Sequence, residues 1–474
     1  MSRAGTIGVG LDFGTSNSTA AWFDGQRLHY VPLEGASPIL PTAIHLDRHY
    51  TAITGQAAID RYVEENRGRR VELTAEVIGE SSSSVGGSEL GDENPELSTT
   101  RQLLWGPLVD RGLKGRMFHG LKRLLGDPRV ERLSVFEQSY RLVALITPIL
   151  QRMREGIEAA TRRPMARLHL GRPVVFEGAH PDRNAVAMAR LTEGAGHAKL
   201  GDVTFYPEPL AATLSWLWQA RPTQGGTALT VDFGGGTLDL AVVRYGDAGR
   251  FDVLATAGAA LGGNFIDQLI FRELLFPALG KGASWARPVE GRRVELPFPF
   301  EDFEDGLLNW QTTHLLNQNR TRWMVVDRIA QGGADAERFQ RLLDLISYNY
   351  SYNCFQAIRA AKAELSTRDR SEIDIPELNL RLEFTRERFD ALLAAPLAQI
   401  DALIDEVLAL ASIGDGDVSV VVGTGGSSLI VAVRRLLEQR FPGRVTEHDP
   451  FTSVAAGLAI ASWANYASPL SSRS

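Results

Sequence analysis

One phrase occurs twice in this chain, nearly half its length apart. From Gly10 the sequence reads GLDFGTSNSTAAWF, and from Thr230 it reads TVDFGGGTLDLAVV. Each copy is an apolar strand ending in Asp-Phe-Gly, a turn of small and hydroxyl residues, and a second apolar strand. Further strands and amphipathic helices follow each copy, which implies a duplicated α/β unit with its two halves facing across a cleft. The length agrees, because 474 residues exceed the ~250 beyond which a single core stops growing. Lobe I is expected over residues 1–220 and lobe II over 221–474, with RPTQGGT from Arg221 as the crossing.

Two stretches read as insertions. Residues 79–95, GESSSSVGGSELGDENP, are too poor in apolar side chains to offset their ordering entropy and suggest a mobile loop. Residues 276–312 contain LPFPFEDFEDG, whose prolines oppose helix and central strand while its aromatics need cover. That segment is expected either to pack on lobe II or to serve as a gate or a partner site. A helical subdomain is expected over about 335–411, with Thr385 as an N-cap and Pro396 at a kink or break between two helices. Cys354, the only cysteine, lies in a helical context and reads as a small buried apolar residue.

A nucleoside triphosphate needs donors around its oxygens, a divalent cation, and carboxylates that hold the cation without stripping its water. The two turns supply such groups. Gly14 and the run Gly234, Gly235 and Gly236 let backbone N–H groups approach phosphates, Thr15, Ser16 and Thr237 add hydroxyls, and Asn17 adds a side-chain amide. Asp12 and Asp232 would face the cation from opposite lobes through water. One such turn alone is usually only a hairpin; two matched copies point to a site. Asp-Phe-Gly also occurs in protein kinases, but the H-R-D loop and V-A-I-K strand are missing. So is the Gly-x-x-x-x-Gly-Lys-Ser/Thr of the common P-loop.

Two further glycine clusters, VVVGTGGSSLI from Val420 and LGGNFID from Leu261, read as strand–turn–helix starts. Such starts can seat polar or anionic atoms, or can simply need small residues for packing. Formal charge is −7 and no run of Lys or Arg forms a stripe, which argues against non-specific nucleic-acid binding. The N-terminus lacks signal-peptide features, and no apolar run reaches the ~18 residues of a membrane span. A soluble cytoplasmic protein is expected.

The motifs also resemble those of DnaK-type heat-shock chaperones. The first turn resembles their DLGTTNS, the second their DLGGGTFD, and LGGNFID their LGGEDFD. GLKRLLGD from Gly120, GRPVVFEG from Gly171, YPEPLAATLSW from Tyr206, AAKAELST, FTRERF, GTGGSSLI and DPFTSVAAGLAIA follow in the family's order along nearly the whole chain. Gly-Arg-Pro and Phe-x-Gly in the middle motif are most similar to the YegD-type members. The resemblance implies an actin-like, ribonuclease H-like ATPase fold, with ATP or ADP and Mg2+ in the cleft. It implies an unfolded client protein or a co-chaperone as partner. With WANYASPLSSRS as the last residues given, the family's apolar linker and peptide-gripping β-sandwich are not expected in this chain.

Residue by residue, the resemblance makes Lys122 the catalytic lysine, where the residues alone would suggest a solvated basic helix end. It places Glu208 near the metal and the attacking water, with Asp12 and Asp232 as the other metal carboxylates. It gives Asp232 the polarising of water, Thr15 and Thr237 contact with phosphate, and Arg172, Pro173 and Pro209 a part in coupling nucleotide state to lobe movement. Gly262, Gly263, Asn264, Lys362, Ser366, Gly425, Gly426 and Ser427 fall in its nucleotide-binding motifs. Three positions depart. The arginines that sandwich adenine are Ala363 and Leu429 here, and the glutamate near the ribose is Arg359. A slow ATPase with chaperone-like coupling, a nucleotide-gated scaffold and a small-molecule kinase of the same superfold all remain open.

Overall fold

The computed structural model describes residues 7–85, 98–110, 112–162, 167–246 and 251–466. Two five-strand arrays carry the duplication. In the first, Leu28–Tyr30, Asn17–Phe23, Gly8–Phe13, Arg167–Arg172 and Asp202–Pro207 lie side by side, and Ile39–Pro41 also pairs with the second of these. In the second the order is Phe251–Ala259, Leu238–Tyr245, Gly226–Phe233, Val420–Thr424 and Val445–Glu447. Numbered along the chain within each array, both read 3-2-1-4-5. In both, 1–2 and 2–3 are antiparallel while 1–4 and 4–5 are parallel. The fold is therefore the duplicated, actin-like α/β fold, with each Asp-Phe-Gly turn at the carboxyl end of the strand that opens its array.

Two helices lie between the arrays. Glu208–Ala220 packs on the second array, Ser453–Ala464 crosses back onto the first, and the two pack on each other. The second helix is buried almost all round, because one side meets a sheet and the other a helix. Glycine makes the approach possible. A Cβ at Gly457 would stand 1.6 Å from the Ala211 carbonyl oxygen, and one at Gly10 would stand 2.3 Å from that of Ala455. Any side chain at either point would push apart the halves that build the cleft.

The outer elements differ from some expectations. Residues 79–85 are not a loop: Leu73–Val85 pairs with Ser98–Asp110 as a long antiparallel hairpin. A backbone ladder between paired strands needs no apolar side chains from residues 81–84. The rest of that segment, 86–95, lies outside the described residues. Cys354 is buried in the Ser351–Glu364 helix. Thr385 caps Arg386–Leu392 by accepting the Arg388 N–H at 3.2 Å, and the break falls at Leu393, three residues before Pro396.

The Pro-rich segment forms a hairpin, Ser284–Val289 with Arg292–Pro297, and a short helix, Glu301–Leu308. Its Phe298, Phe300 and Phe303 are buried in the core of the second half. The same stretch then reaches the first half. The buried Tyr62 hydroxyl lies 2.8 Å from the Gln311 carbonyl oxygen and 3.0 Å from His314 Nδ1. Asn317 Nδ2 donates to the Arg69 carbonyl at 2.6 Å, and the Val71 N–H donates to the Asn317 carbonyl at 2.9 Å. Ala58, Ile59, Tyr62 and Met117 thereby join the second half's core through Trp310. The segment thus packs on the second half and, unexpectedly, also ties it to the first.

Candidate active site

A cavity of about 740 Å³ lies where the two turns meet. Asp12 and Asp232 both line it, as do Gly14, Thr15, Ser16 and Asn17 from one turn and Gly234, Gly235, Gly236 and Thr237 from the other. The turns touch. Asn264 Nδ2 donates to Ser16 Oγ at 3.1 Å. A Cβ at Gly235 would stand 2.8 Å from Ser16 Oγ, and one at Gly236 would stand 2.7 Å from Thr15 Oγ1. Glycine is thus required twice, by the neighbouring half rather than by backbone angles.

Behind the second turn the LGGNFID segment holds it in place. The N–H groups of Gly263 and Asn264 donate to the carbonyls of Gly234 and Gly235 at 3.0 and 2.9 Å, and Ser427 Oγ donates to the Gly234 carbonyl at 3.2 Å. Gly263, Asn264, Gly425, Gly426, Ser427, Lys362 and Ser366 reach the cavity wall. Gly262 does not line the cavity; it lies against the turn, where a Cβ would stand 2.4 Å from the Gly235 carbonyl oxygen.

Lys122 is not a solvated helix end. It sits on the short turn Leu121–Leu124, 6% exposed, with its ammonium 2.6 Å from Glu208 Oε1. Glu208 opens the Glu208–Ala220 helix, a position that favours a carboxylate. Burial opposes the charge on Lys122, yet Glu208, then Asp12 and Asp239, outweigh it and raise its pKa. Burial first and Glu208 second push Asp12 up to about 7. The same two causes, followed by Asp239 and Asp12, hold Asp232 well above the usual carboxylate range.

Asp239 was not singled out by the motifs. It pairs with Asp232 across the second hairpin, is 1% exposed, and accepts the Val174 N–H at 2.8 Å. Burial and Glu208 raise its pKa to about 7. The available signal was a lone acid inside the otherwise apolar strand LDLAVV. Arg172, also buried, feels Glu208 and Asp239 and donates to the Pro173 carbonyl at 3.0 Å. Asp12, Glu208, Asp232 and Asp239 share the site with only two cations, Lys122 and Arg172, and burial with mutual repulsion opposes ionisation of the three aspartates. An oxygen-only carboxylate set of this kind fits a hydrated hard cation. Among the described residues no group of three or more His, Cys, Asp or Glu is arranged to hold a metal directly.

Asp267 was missed as well. It is 2% exposed and bonds Lys362 Nζ at 2.5 Å and Arg359 Nε at 3.0 Å, so the two cations share one carboxylate at the cavity wall. His119 lines the wall with its backbone N–H on Gln311 Oε1 at 3.1 Å. Burial, then Arg359, lowers its pKa to about 4, so the ring is neutral at pH 7. Ala363 and Leu429 line the cavity too, beside Ile430, Pro450 and Phe451.

Comparison with known proteins shows what this chain is similar to. A family described as "Hsp70 protein" matches residues 119–278. "Chaperone protein DnaK" of Elusimicrobium minutum is 23% identical over 469 residues, covering 95% of this chain and 56% of its own length. "Chaperone protein dnaK1" of Synechocystis is 25% identical over 464 residues, covering 95% of this chain and 53% of its own length. "Heat shock 70 kDa protein BIP3" of rice is 24% identical over 458 residues, covering 95% and 56%. The chain is similar to DnaK-type Hsp70 chaperones over nearly its whole length, and to the Hsp70 family model over residues 119–278. It spans just over half the length of these Hsp70 relatives. Among the described residues no helix is long and apolar enough to cross a membrane.

Proposed function

We propose that this chain binds ATP or ADP with a hydrated magnesium ion in the cavity and hydrolyses ATP slowly, with nucleotide state coupled to closure of the two halves. The observation that carries the reading is the Lys122–Glu208 pair, buried at 2.6 Å beside Asp12, Asp232 and Asp239 where the two glycine turns meet. Burying so many charges is costly unless a charged ligand completes the set. Asp12, Asp232 and Glu208 would hold magnesium through water, and the bound ion supplies neutralisation of the phosphate charge.

The chain's own groups then have separable duties. Backbone N–H groups of the glycine turns, with the hydroxyls of Thr15, Ser16 and Thr237, grip phosphate oxygens. The Lys122 ammonium stabilises charge that grows on the transferring phosphoryl group, and Asp232 orients the attacking water. Lys362, Ser366, Gly425, Gly426 and Ser427 receive the nucleoside. Arg172 and Asp239, joined through the Pro173–Val174 backbone, give a contact path by which the site would move the flanking segment. The lobes are taken as 1–220 and 221–474, with Ser453–Ala464 returning to the first. Similarity to DnaK-type chaperones supports a chaperone-like role in the cytoplasm, acting with an unfolded client protein or a co-chaperone.

Phosphate release tests this. Purified protein with magnesium and ATP should release phosphate, unfolded polypeptide should accelerate it, and Lys122→Ala should slow it by about a hundredfold. Consumption of an added metabolite would point to a kinase, and tight binding without release to a nucleotide-gated scaffold. Full turnover by Lys122→Ala would remove the lysine from the mechanism.

A further inference from the structure

The hairpin of the Pro-rich segment has two edges, and the molecule treats them differently. The Phe298 N–H donates to the Ala283 carbonyl at 2.9 Å, which fixes the alternation of the ladder between Ser284–Val289 and Arg292–Pro297. The backbone groups of Ala286 then point outward on one strand, and those of Arg293 and Glu295 point outward on the other. Ala286 is capped: its N–H donates to Gln331 Oε1 at 2.7 Å, and its carbonyl accepts from Gln331 Nε2 at 3.1 Å. Pro288, the next outward residue on that strand, has no N–H to offer.

The other edge is bare. Every residue of Arg292–Pro297 is exposed, and the strand pairs with Ser284–Val289 alone. Among the described residues nothing takes the outward N–H and carbonyl groups of Arg293 and Glu295, and neither side chain is in an ion pair. A free edge of this kind is a template for another strand. Val294 and Leu296, 38% and 41% exposed, share the face on which the Arg287 guanidinium lies 4.9 Å from the exposed Trp323 ring, so apolar surface borders the edge.

The residues of the edge say which strand fits. A second copy running antiparallel can be centred on Arg293, on Val294 or on Glu295 with outward groups opposite outward groups. Centring on Arg293 or on Glu295 sets like charges directly opposite each other, which opposes pairing. Centring on Val294 places Arg293 opposite Glu295 of the second copy, and Glu295 opposite its Arg293. The same register lets the outward groups of both pairs exchange their backbone hydrogen bonds and brings the two Val294 side chains together. We propose that this chain self-associates through this edge, two copies joining Arg292–Pro297 to Arg292–Pro297 about a two-fold axis at Val294 to make one four-stranded sheet. Pro297 cannot donate and ends the ladder, so the contact is short and the dimer is weak and reversible. The proposal is independent of what the cavity binds.

Sedimentation velocity of the full chain over a rising concentration series tests it. Wild type should pass reversibly from monomer to dimer, and Arg293→Glu or Glu295→Arg should each weaken that association at least about tenfold. Mixed in equal amounts, these two variants set Glu opposite Arg at both positions and should associate with each other as wild type does. The double variant Arg293→Glu/Glu295→Arg should recover self-association on its own. Val294→Cys puts two thiols at a non-hydrogen-bonded pair, with Cα atoms about 4.5 Å apart, and should form an intermolecular disulfide on mild oxidation, whereas the buried Cys354 of wild type should not. Recovery on mixing also shows that the single variants are folded. A wild type that stays monomeric at every concentration would overturn the proposal, as would association undiminished in either single variant or single variants that do not recover when mixed.

Discussion

The two halves of the molecule meet across the cavity in two ways that could hardly be less alike. At one end, Asn264 donates a hydrogen bond to Ser16 at 3.1 Å while glycines bring the turns together, and no large side chain takes part. At the other, Tyr62, Trp310 and His314 form a buried aromatic knot, with ring centroids 5.8 Å apart in both Tyr62 pairs. The first contact is built from groups that a phosphate can also use, so a ligand competes with it or completes it. The second is built like a protein core and offers a ligand little beyond its rim. Stability is expected to come from the aromatic contact and ligand response from the glycine contact.

Substitutions can break that division. Trp310→Ala removes a side chain that is 6% exposed and joins two cores, and should cost about 3–5 kcal/mol in denaturant unfolding. An unfolding curve that barely moves would show that the knot does not hold the halves. Acid should loosen the same region. Burial, then Arg69, lowers the pKa of His314 from 6.5 to about 4. The unfolded chain therefore takes up the proton first, so the contribution is fully present above pH 6.5 and is lost as the pH falls toward 4. It amounts to about 3 kcal/mol. His119 acts in the same direction, so His314→Gln should flatten only part of the slope of unfolding free energy against pH.

Smaller changes sharpen the comparison. Tyr62→Phe strips the hydroxyl from the Gln311 carbonyl and should cost about 1–3 kcal/mol by thermal unfolding, at little loss of packing. Asn264→Ala should cost under about 1 kcal/mol in the same measurement but weaken ATP binding several-fold, because the side chain braces the turn and lines the cavity. Interchanged outcomes for these two variants would reverse the roles assigned to the two contacts.

Much of this arrangement was legible because it was written twice. The Asp-Phe-Gly repeat led to two arrays with the same 3-2-1-4-5 order, and the turns it marked line one cavity. Local rules sufficed there, since a strand, a tight turn and a strand declare themselves within a dozen residues. Asp239 and Asp267 were less visible. Each is a single acid in an apolar element, and only the tertiary fold places it beside Asp232 or between Arg359 and Lys362. Lys122 was ambiguous for the same reason, as burial beside Glu208 is a contact across 86 residues. Residues 79–85, the end of the Leu73–Val85 strand, were read as loop because a ladder depends on a partner strand that local composition does not reveal. The aromatic bridge from Trp310 to Tyr62 was the hardest to read: its aromatics asked for cover, but nothing local says that the cover lies in the other half.

The central claim is that the buried carboxylates hold a hydrated cation against a triphosphate. Calorimetric titration of ATP into wild type and Asp232→Asn, each with and without magnesium, addresses it most directly. Wild type should bind at least about tenfold more tightly with magnesium, and that gain should vanish in Asp232→Asn. Equal ATP affinity with and without magnesium in wild type, or an undiminished magnesium effect in the variant, would contradict it.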